Sequence, residues 1–204
     1  MDDAGPMPHA PGPHAASTPR PVHRLRLDRS LVLLIDVQAK LLPVIDQKTT
    51  VLRRCMRMLA GARALGVPLA ITEQYPRGLG RTVPELADHI PDAAATAEKM
   101  RFSAWVPQVR AVAAARGVES VVLVGIEAHV CVQQTALDVV EAGLTPVLCL
   151  DAVGSRRAID RQAGVHRMTH AGALTATVES VLMEWCETAD SKRFRAVQEI
   201  IKSD

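Results

Sequence analysis

Cys131 stands where the chain changes its period. The run Val121-Val-Leu-Val-Gly-Ile before it reads as a strand buried on both faces, and beyond it Val132, Ala136, Val139 and Val140 share one side of a helix that stops near Gly143. A thiol at such a junction meets unpaired backbone N–H groups and the positive end of a helix dipole, both of which favour the thiolate. The same N–H groups can hold an oxyanion, so one short turn is able to supply a nucleophile and its oxyanion site. Taken alone, a cysteine in this position reads first as a small buried residue at a helix start. A second reactive type, Asp36, ends the apolar run Leu31-Val-Leu-Leu-Ile. Alone it reads as readily as the N-cap of the next helix.

What brings the two together is the order of the elements around them. Short apolar runs predict strands over 31–36, 67–72, 94–100, 121–124, 144–151 and 173–177, of which 94–100 is alanine-rich and the least apolar. Helical periodicity predicts helices over 47–65, 83–89, 105–116, 131–143, 155–171, 178–186 and 191–201. Strands alternating with helices at this spacing predict a three-layer α/β/α sandwich with a six-stranded parallel sheet and right-handed crossovers. In the common order 3-2-1-4-5-6, the first and fourth strands are neighbours where the order reverses, the place at which such sheets bind ligands. Asp36 and Cys131 then face one crevice. The last two helices are expected to pack on the outside or on a second subunit. The stretch Glu73-Gln-Tyr-Pro-Arg-Gly-Leu-Gly-Arg-Thr82 lacks both the phosphate-loop ending and dinucleotide spacing, and reads as a lid or as tight turns.

Composition limits the remaining possibilities. With 204 residues, 48% of them apolar, the chain is expected to form a single domain over 23–204. Residues 1–22, rich in Pro, Ala, Gly and His, are expected to be a disordered tail, and the irregular spacing of His9, His14 and His23 favours a solvated segment over a metal cluster. The net charge of +2 and the lack of any basic, aromatic-interleaved run give no reason to expect nucleic acid as a partner. The four cysteines, Cys55, Cys131, Cys149 and Cys186, are scattered, which fits a reduced cytoplasm better than a zinc ribbon or a secreted disulfide framework. No apolar run reaches a bilayer span and no signal peptide is read, so no membrane partner is expected.

Three motifs in order carry a family resemblance: Asp36-Val-Gln38 after the first strand, Glu98-Lys99-Met-Arg-Phe-Ser103 in the middle, and Gly125-Ile126-Glu127 followed by Cys131. Together, over 27–185, they resemble the isochorismatase-like cysteine hydrolases, which include nicotinamidases, N-carbamoylsarcosine amidohydrolases and isochorismatase. The branch of isochorismatase domain-containing proteins is the most similar, through Thr72-Glu-Gln-Tyr-Pro76, Gly78-Leu-Gly80, Glu127-Ala-His-Val-Cys131, and Asp151 with Ser155-Arg156. The resemblance implies the Rossmann-like isochorismatase fold and a triad of Asp36, Lys99 and Cys131. In it Lys99 supplies positive charge to the thiol and Asp36 moves the proton. It also implies a cis peptide between Ile126 and Glu127, and an oxyanion hole from the N–H groups of Glu127 and Cys131.

The reaction so implied is hydrolysis of a small amide-like C–N bond through a thioester, in a homo-oligomer, dimer or tetramer, with no cofactor. Nicotinamidases carry an Asp-x-His metal group after the second strand, whereas this chain has Thr72-Glu-Gln-Tyr, so no metal is expected and nicotinamide is a poor candidate substrate. Isochorismatase itself lacks the cysteine, and its presence here points to acyl transfer. Glu73, Tyr75, Phe102, Trp105 and His129 are expected around the substrate, each with a packing or capping role as the plain alternative. Two other classes of function stay open on the same fold: a degenerate oligomeric interaction protein, and a sensor in which oxidation of Cys131 is the signal.

Overall fold

The computed structural model describes residues 24–91 and 94–202, so the expected 1–22 tail lies outside the described residues. Six strands form one sheet: β1 Ser30–Ile35, β2 Leu69–Gln74, β3 Ala95–Lys99, β4 Ser120–Ile126, β5 Thr145–Gly154 and β6 Leu174–Ala176. Their order is β3-β2-β1-β4-β5-β6 and every pairing is parallel, as the alternation of strands and helices predicts. All six residues of β1 and all seven of β4 are buried, because helices cover both faces and leave no solvated side to be polar.

The side-chain alternation of β1 divides the core. Val32 and Leu34 join a cluster with α1 (Lys48–Leu65), while Leu31, Leu33 and Ile35 join another on the opposite face. Two short helical turns follow β2: α2 (Pro76–Leu79) and α3 (Pro84–Ala87). Helices α4 (Pro107–Ala115), α5 (Gln133–Glu141) and α6 (Ala158–His170) pack residues such as Val109, Val139 and Met168 on the second face. On the first face α7 (Val178–Cys186) buries Val178, Val181, Leu182 and Trp185, and α8 (Lys192–Lys202) closes the chain.

Some boundaries differ from the sequence expectation for identifiable reasons. β2 runs two residues past Thr72, because Glu73 and Gln74 find polar partners and need no solvent. β5 extends to Gly154 through a register shift opposite Leu123 and Gly125, which the single apolar run did not reveal. Cys131 sits in a π-helical turn, Ala128–Val132, and regular α-helix begins only at Gln133. The apolar stripe of α8 is spent within the chain: Val197 is fully buried, with Phe194 and Ile201 packed against the first-face core. That helix therefore gives no support of its own to a second subunit.

Candidate active site

The crevice is set by how β1 and β4 end. Asp36 follows β1 directly in a left-handed conformation (φ 52°), with its N–H bonded to the Thr72 carbonyl at 3.1 Å. Aspartate tolerates that region better than most residues, and the turn leaves the carboxylate at the strand end rather than at a helix start. The nearest α-helix downstream is α1, so the N-cap alternative for Asp36 does not apply. Beside it Gly125 (φ 121°) lets β4 approach β1 closely, since a Cβ there would lie 2.1 Å from the Ile35 carbonyl oxygen. The Ile126–Glu127 peptide that follows is cis.

Asp36 and Lys99 form a buried pair, with Nζ to Oδ2 at 2.6 Å. The Thr72 hydroxyl donates to the other oxygen, Oδ1, at 2.8 Å. Lys99 also donates to Gln74 Oε1 and to the Phe102 carbonyl, each at 2.8 Å, so three N–H groups have three short acceptors. The thiol of Cys131, 5% exposed, is close enough for both the Asp36 carboxylate and the Lys99 ammonium to act on it electrostatically. Of the three residues expected to act together, Asp36 and Lys99 are in direct contact, and Cys131 follows the neighbouring strand β4 at the same end of the sheet.

Their electrostatics differ from the thiolate expected at a helix start. Burial and, second to it, the negative charge of Asp36 push the Cys131 thiol from its ordinary value of 9.0 up to about 12, against the opposing pull of Lys99. Burial and Asp36 thus favour the neutral thiol over the thiolate. A base adjacent to the nucleophile makes a preformed thiolate unnecessary.

Val130 and Val132 both give their N–H groups to the Glu127 carbonyl, at 3.0 and 3.2 Å, and the N–H of Cys131 between them is not one of the two. Thr135, missed in the sequence, holds this turn: its buried hydroxyl donates to the Cys131 carbonyl at 2.6 Å and accepts the Ala104 N–H at 2.8 Å. On the far side Gly164 of α6 lies against the turn, where a Cβ would be 2.8 Å from the His129 Cα.

The five residues expected around the substrate have separate fates. Glu73 is buried and engaged at both oxygens, one by the Thr82 N–H and hydroxyl and the other by Arg81, so it ties down the chain after β2. Burial raises its carboxyl, but the Thr82 and Arg81 contacts outweigh that and leave it below the ordinary value. Trp105 belongs to the second-face core at 6% exposure. His129 is half-buried, with Nδ1 3.0 Å from the Ser155 hydroxyl. Tyr75 and Phe102 are exposed at 47% and 51%. Tyr75 lines a cavity of about 320 Å³ with Pro76, Arg77, Glu98, Lys99 and Met100. The Glu127 side chain is held by the N–H and Nε of Arg156 at 3.1 and 3.0 Å. Among the described residues no group of three or more His, Cys, Asp or Glu side chains is gathered as for a metal ion.

A doubly wound parallel sheet carrying a cysteine, a carboxylate and a lysine at its switch point belongs to the α/β proteins that work at the carboxyl ends of their strands. More narrowly, the chain belongs to the isochorismatase family, whose domain model matches residues 30–180. Isochorismatase domain-containing protein 1 of Danio rerio is 38% identical over 174 residues, 85% of this chain and 61% of that protein. The chain therefore spans about six tenths of that relative's length.

Solved structures agree on the fold. A structure described as MAR1 ribonuclease from Caenorhabditis elegans is 35% identical with a TM-score of 0.85, covering 89% of this chain and 94% of that one. YcaC of Escherichia coli, described as an octameric hydrolase of unknown specificity, is 27% identical with a TM-score of 0.83 over 89% and 91%. YcaC of Pseudomonas aeruginosa, described with covalent acrylamide, is 29% identical with a TM-score of 0.79 over 87% and 91%.

Proposed function

We propose that the chain is a cysteine hydrolase of small amide-like C–N substrates, working through a thioester on Cys131. The observation that carries this reading is the buried Asp36–Lys99 pair at the strand ends beside the buried Cys131 thiol, on which both charges act. As Sγ bonds to the substrate carbonyl carbon, Asp36 accepts the thiol proton and the carbonyl electron pair moves onto oxygen, which the N–H groups of Glu127 and Cys131 receive. Collapse reforms the carbonyl, breaks the C–N bond and passes the proton from Asp36 to the departing nitrogen. Water then adds to the thioester and gives a proton to Asp36. Collapse of this adduct breaks the C–S bond, the acid leaves, and the Cys131 sulfur takes the proton back from Asp36. Lys99 keeps the carboxylate placed and offsets its charge throughout.

The covalent acrylamide of the Pseudomonas YcaC supports a reactive nucleophile on this fold, acrylamide being an electrophile at its vinyl carbon. Tyr75 and Phe102, exposed beside the Lys99 segment, are the side chains we assign to substrate entry. A homo-oligomer is supported by the octameric YcaC. We place the protein in the cytoplasm, without cofactor; no helix among the described residues is long and apolar enough to cross a membrane. The redox alternative lacks a resolving thiol: Cys55, Cys149 and Cys186 pack in the first-face core and Cys131 in the second, with the sheet between them.

The test is a panel of small primary amides and N-carbamoyl compounds, with ammonia or amine release followed for the wild type and for Cys131→Ser. A single-stranded RNA arm is included because of the ribonuclease neighbour. Release that disappears in Cys131→Ser supports the reading. RNA cleavage unaffected by Cys131→Ser, with no amide turned over, overturns it.

A further inference from the structure

Gln74 is a buried polar residue at the end of β2 that the proposed reaction does not use. Its side-chain amide is fixed at both ends: Oε1 accepts from Lys99 Nζ at 2.8 Å and Nε2 donates to the Met100 carbonyl at 2.9 Å. Its backbone is clamped as well. Gln38, fully buried, accepts the Gln74 N–H at 2.8 Å and donates to the Gln74 carbonyl at 3.0 Å, with a further bond from the same nitrogen to the Gly80 carbonyl at 2.6 Å. This arrangement leaves Gln74 no freedom to turn away from the ammonium.

An ammonium has three N–H groups. Those of Lys99 have Asp36, Gln74 and the Phe102 carbonyl within 2.8 Å, and the Arg101 carbonyl stands further off at 3.4 Å. The charge of the same ammonium also acts on the Cys131 thiol, in the direction of the thiolate. We propose that Gln74 is a positioning residue that competes with Cys131 for Lys99, taking the N–H that would otherwise stabilise the thiolate. The nucleophile is thereby kept protonated and quiet until a substrate carbonyl draws it forward. The inference rests on the proposed hydrolase reading for its purpose, but not for its readout.

The other ionisable groups on the surrounding elements are committed elsewhere. On β2 Glu73 is held by Arg81 and Thr82, on α5 Asp138 pairs with Arg101 at 2.9 Å, and on the turn after β4 Glu127 pairs with Arg156 while His129 meets Ser155. Asp36 from β1 and Lys99 from β3 are therefore the charges that set the thiol, and Gln74 acts on the second of them.

The experiment is alkylation of Cys131 by iodoacetamide, read by peptide mass at neutral pH and across a pH series, in wild type, Gln74→Met and Gln74→Glu. Methionine keeps the length and removes the strong acceptor, freeing an N–H of Lys99 for sulfur. The alkylation rate at neutral pH rises by about tenfold, equivalent to roughly one pH unit in the profile. Glutamate adds a second carboxylate to the ammonium, and the rate falls by a similar factor, about tenfold. Opposite shifts in the two variants are the expected result; a merely structural role slows or leaves unchanged both alike. Equal shifts in both variants, or none in either, overturn the proposal. If one variant does not fold, as judged by its thermal midpoint, the sign of the other decides. A Cys131 that resists alkylation at every pH in wild type, while the denatured chain reacts, counts against the hydrolase reading itself. That outcome is distinct from unchanged Gln74 variants of a reactive wild type.

Discussion

Lys99 Nζ stands 2.6 Å from Asp36 Oδ2, on residues 63 positions apart, and both side chains are closed to solvent. Two opposite charges thus cancel inside the crevice, and removing either leaves the other buried and unpaired. Asp36→Asn and Lys99→Met are each expected to lower unfolding stability by about 3 to 5 kcal/mol, and the double variant by clearly less than the sum. Urea denaturation of the four proteins checks this, and additive losses count against a coupled pair.

The same pair separates two properties of Cys131. Because the Asp36 charge opposes thiolate formation, Asp36→Asn is expected to speed alkylation of Cys131 at neutral pH, leaving sulfur paired with Lys99. Amide turnover is expected to fall by at least about a hundredfold, since the departing nitrogen loses its proton donor. Parallel measurement of iodoacetamide alkylation and ammonia release shows the split. Turnover that survives in Asp36→Asn rules Asp36 out as the proton carrier.

Alkali is expected to unfold this protein through its thiols. An acid held protonated in the folded chain contributes fully below its ordinary value and gives the contribution up as the pH rises toward its folded one. For Cys131 that window runs from 9.0 to about 12, and burial raises Cys55 and Cys149 as well. Stability by urea denaturation is therefore level between neutral pH and pH 9 and declines above it. Cys131→Ala declines less steeply than wild type.

Two glycines hold the site by what they lack. Gly125→Ala places a methyl group against the Ile35 backbone at a positive φ, and a loss of roughly 3 kcal/mol or more is expected. Gly164→Ala instead presses on His129 and Ala128 in the turn that carries Cys131. Thermal midpoints and turnover measured together are expected to show stability lost mainly in the first and turnover lost in both.

What could be read from the sequence was what apolar periodicity controls. The all-buried β1 and β4 are continuous hydrophobic runs, and with the alternation of helices they give the sheet order and so the neighbourhood of Asp36 and Cys131. Lys99 came from the family resemblance, because β3 is short and half-exposed and a lone lysine in it looks like a surface charge. Thr72 and Gln74 were visible only as part of a family motif, without their roles beside Asp36 and Lys99, and Thr135 was missed, for one physical reason: a polar residue in a sequence suggests solvent or a loop, and these three are buried by pairing with groups distant in the chain. Trp105 takes the packing role that was its plain alternative: a large apolar ring beside a strand end fills the second-face core.

A thioester on Cys131 is checked by acid quenching of the protein during its first turnover of p-nitrophenyl acetate, followed by peptide mapping. One acetyl group is expected on the Cys131 peptide of the wild type, absent from Cys131→Ser and not appearing on the peptides of Cys55, Cys149 or Cys186. Burst release of nitrophenol with an unmodified Cys131 peptide would contradict it.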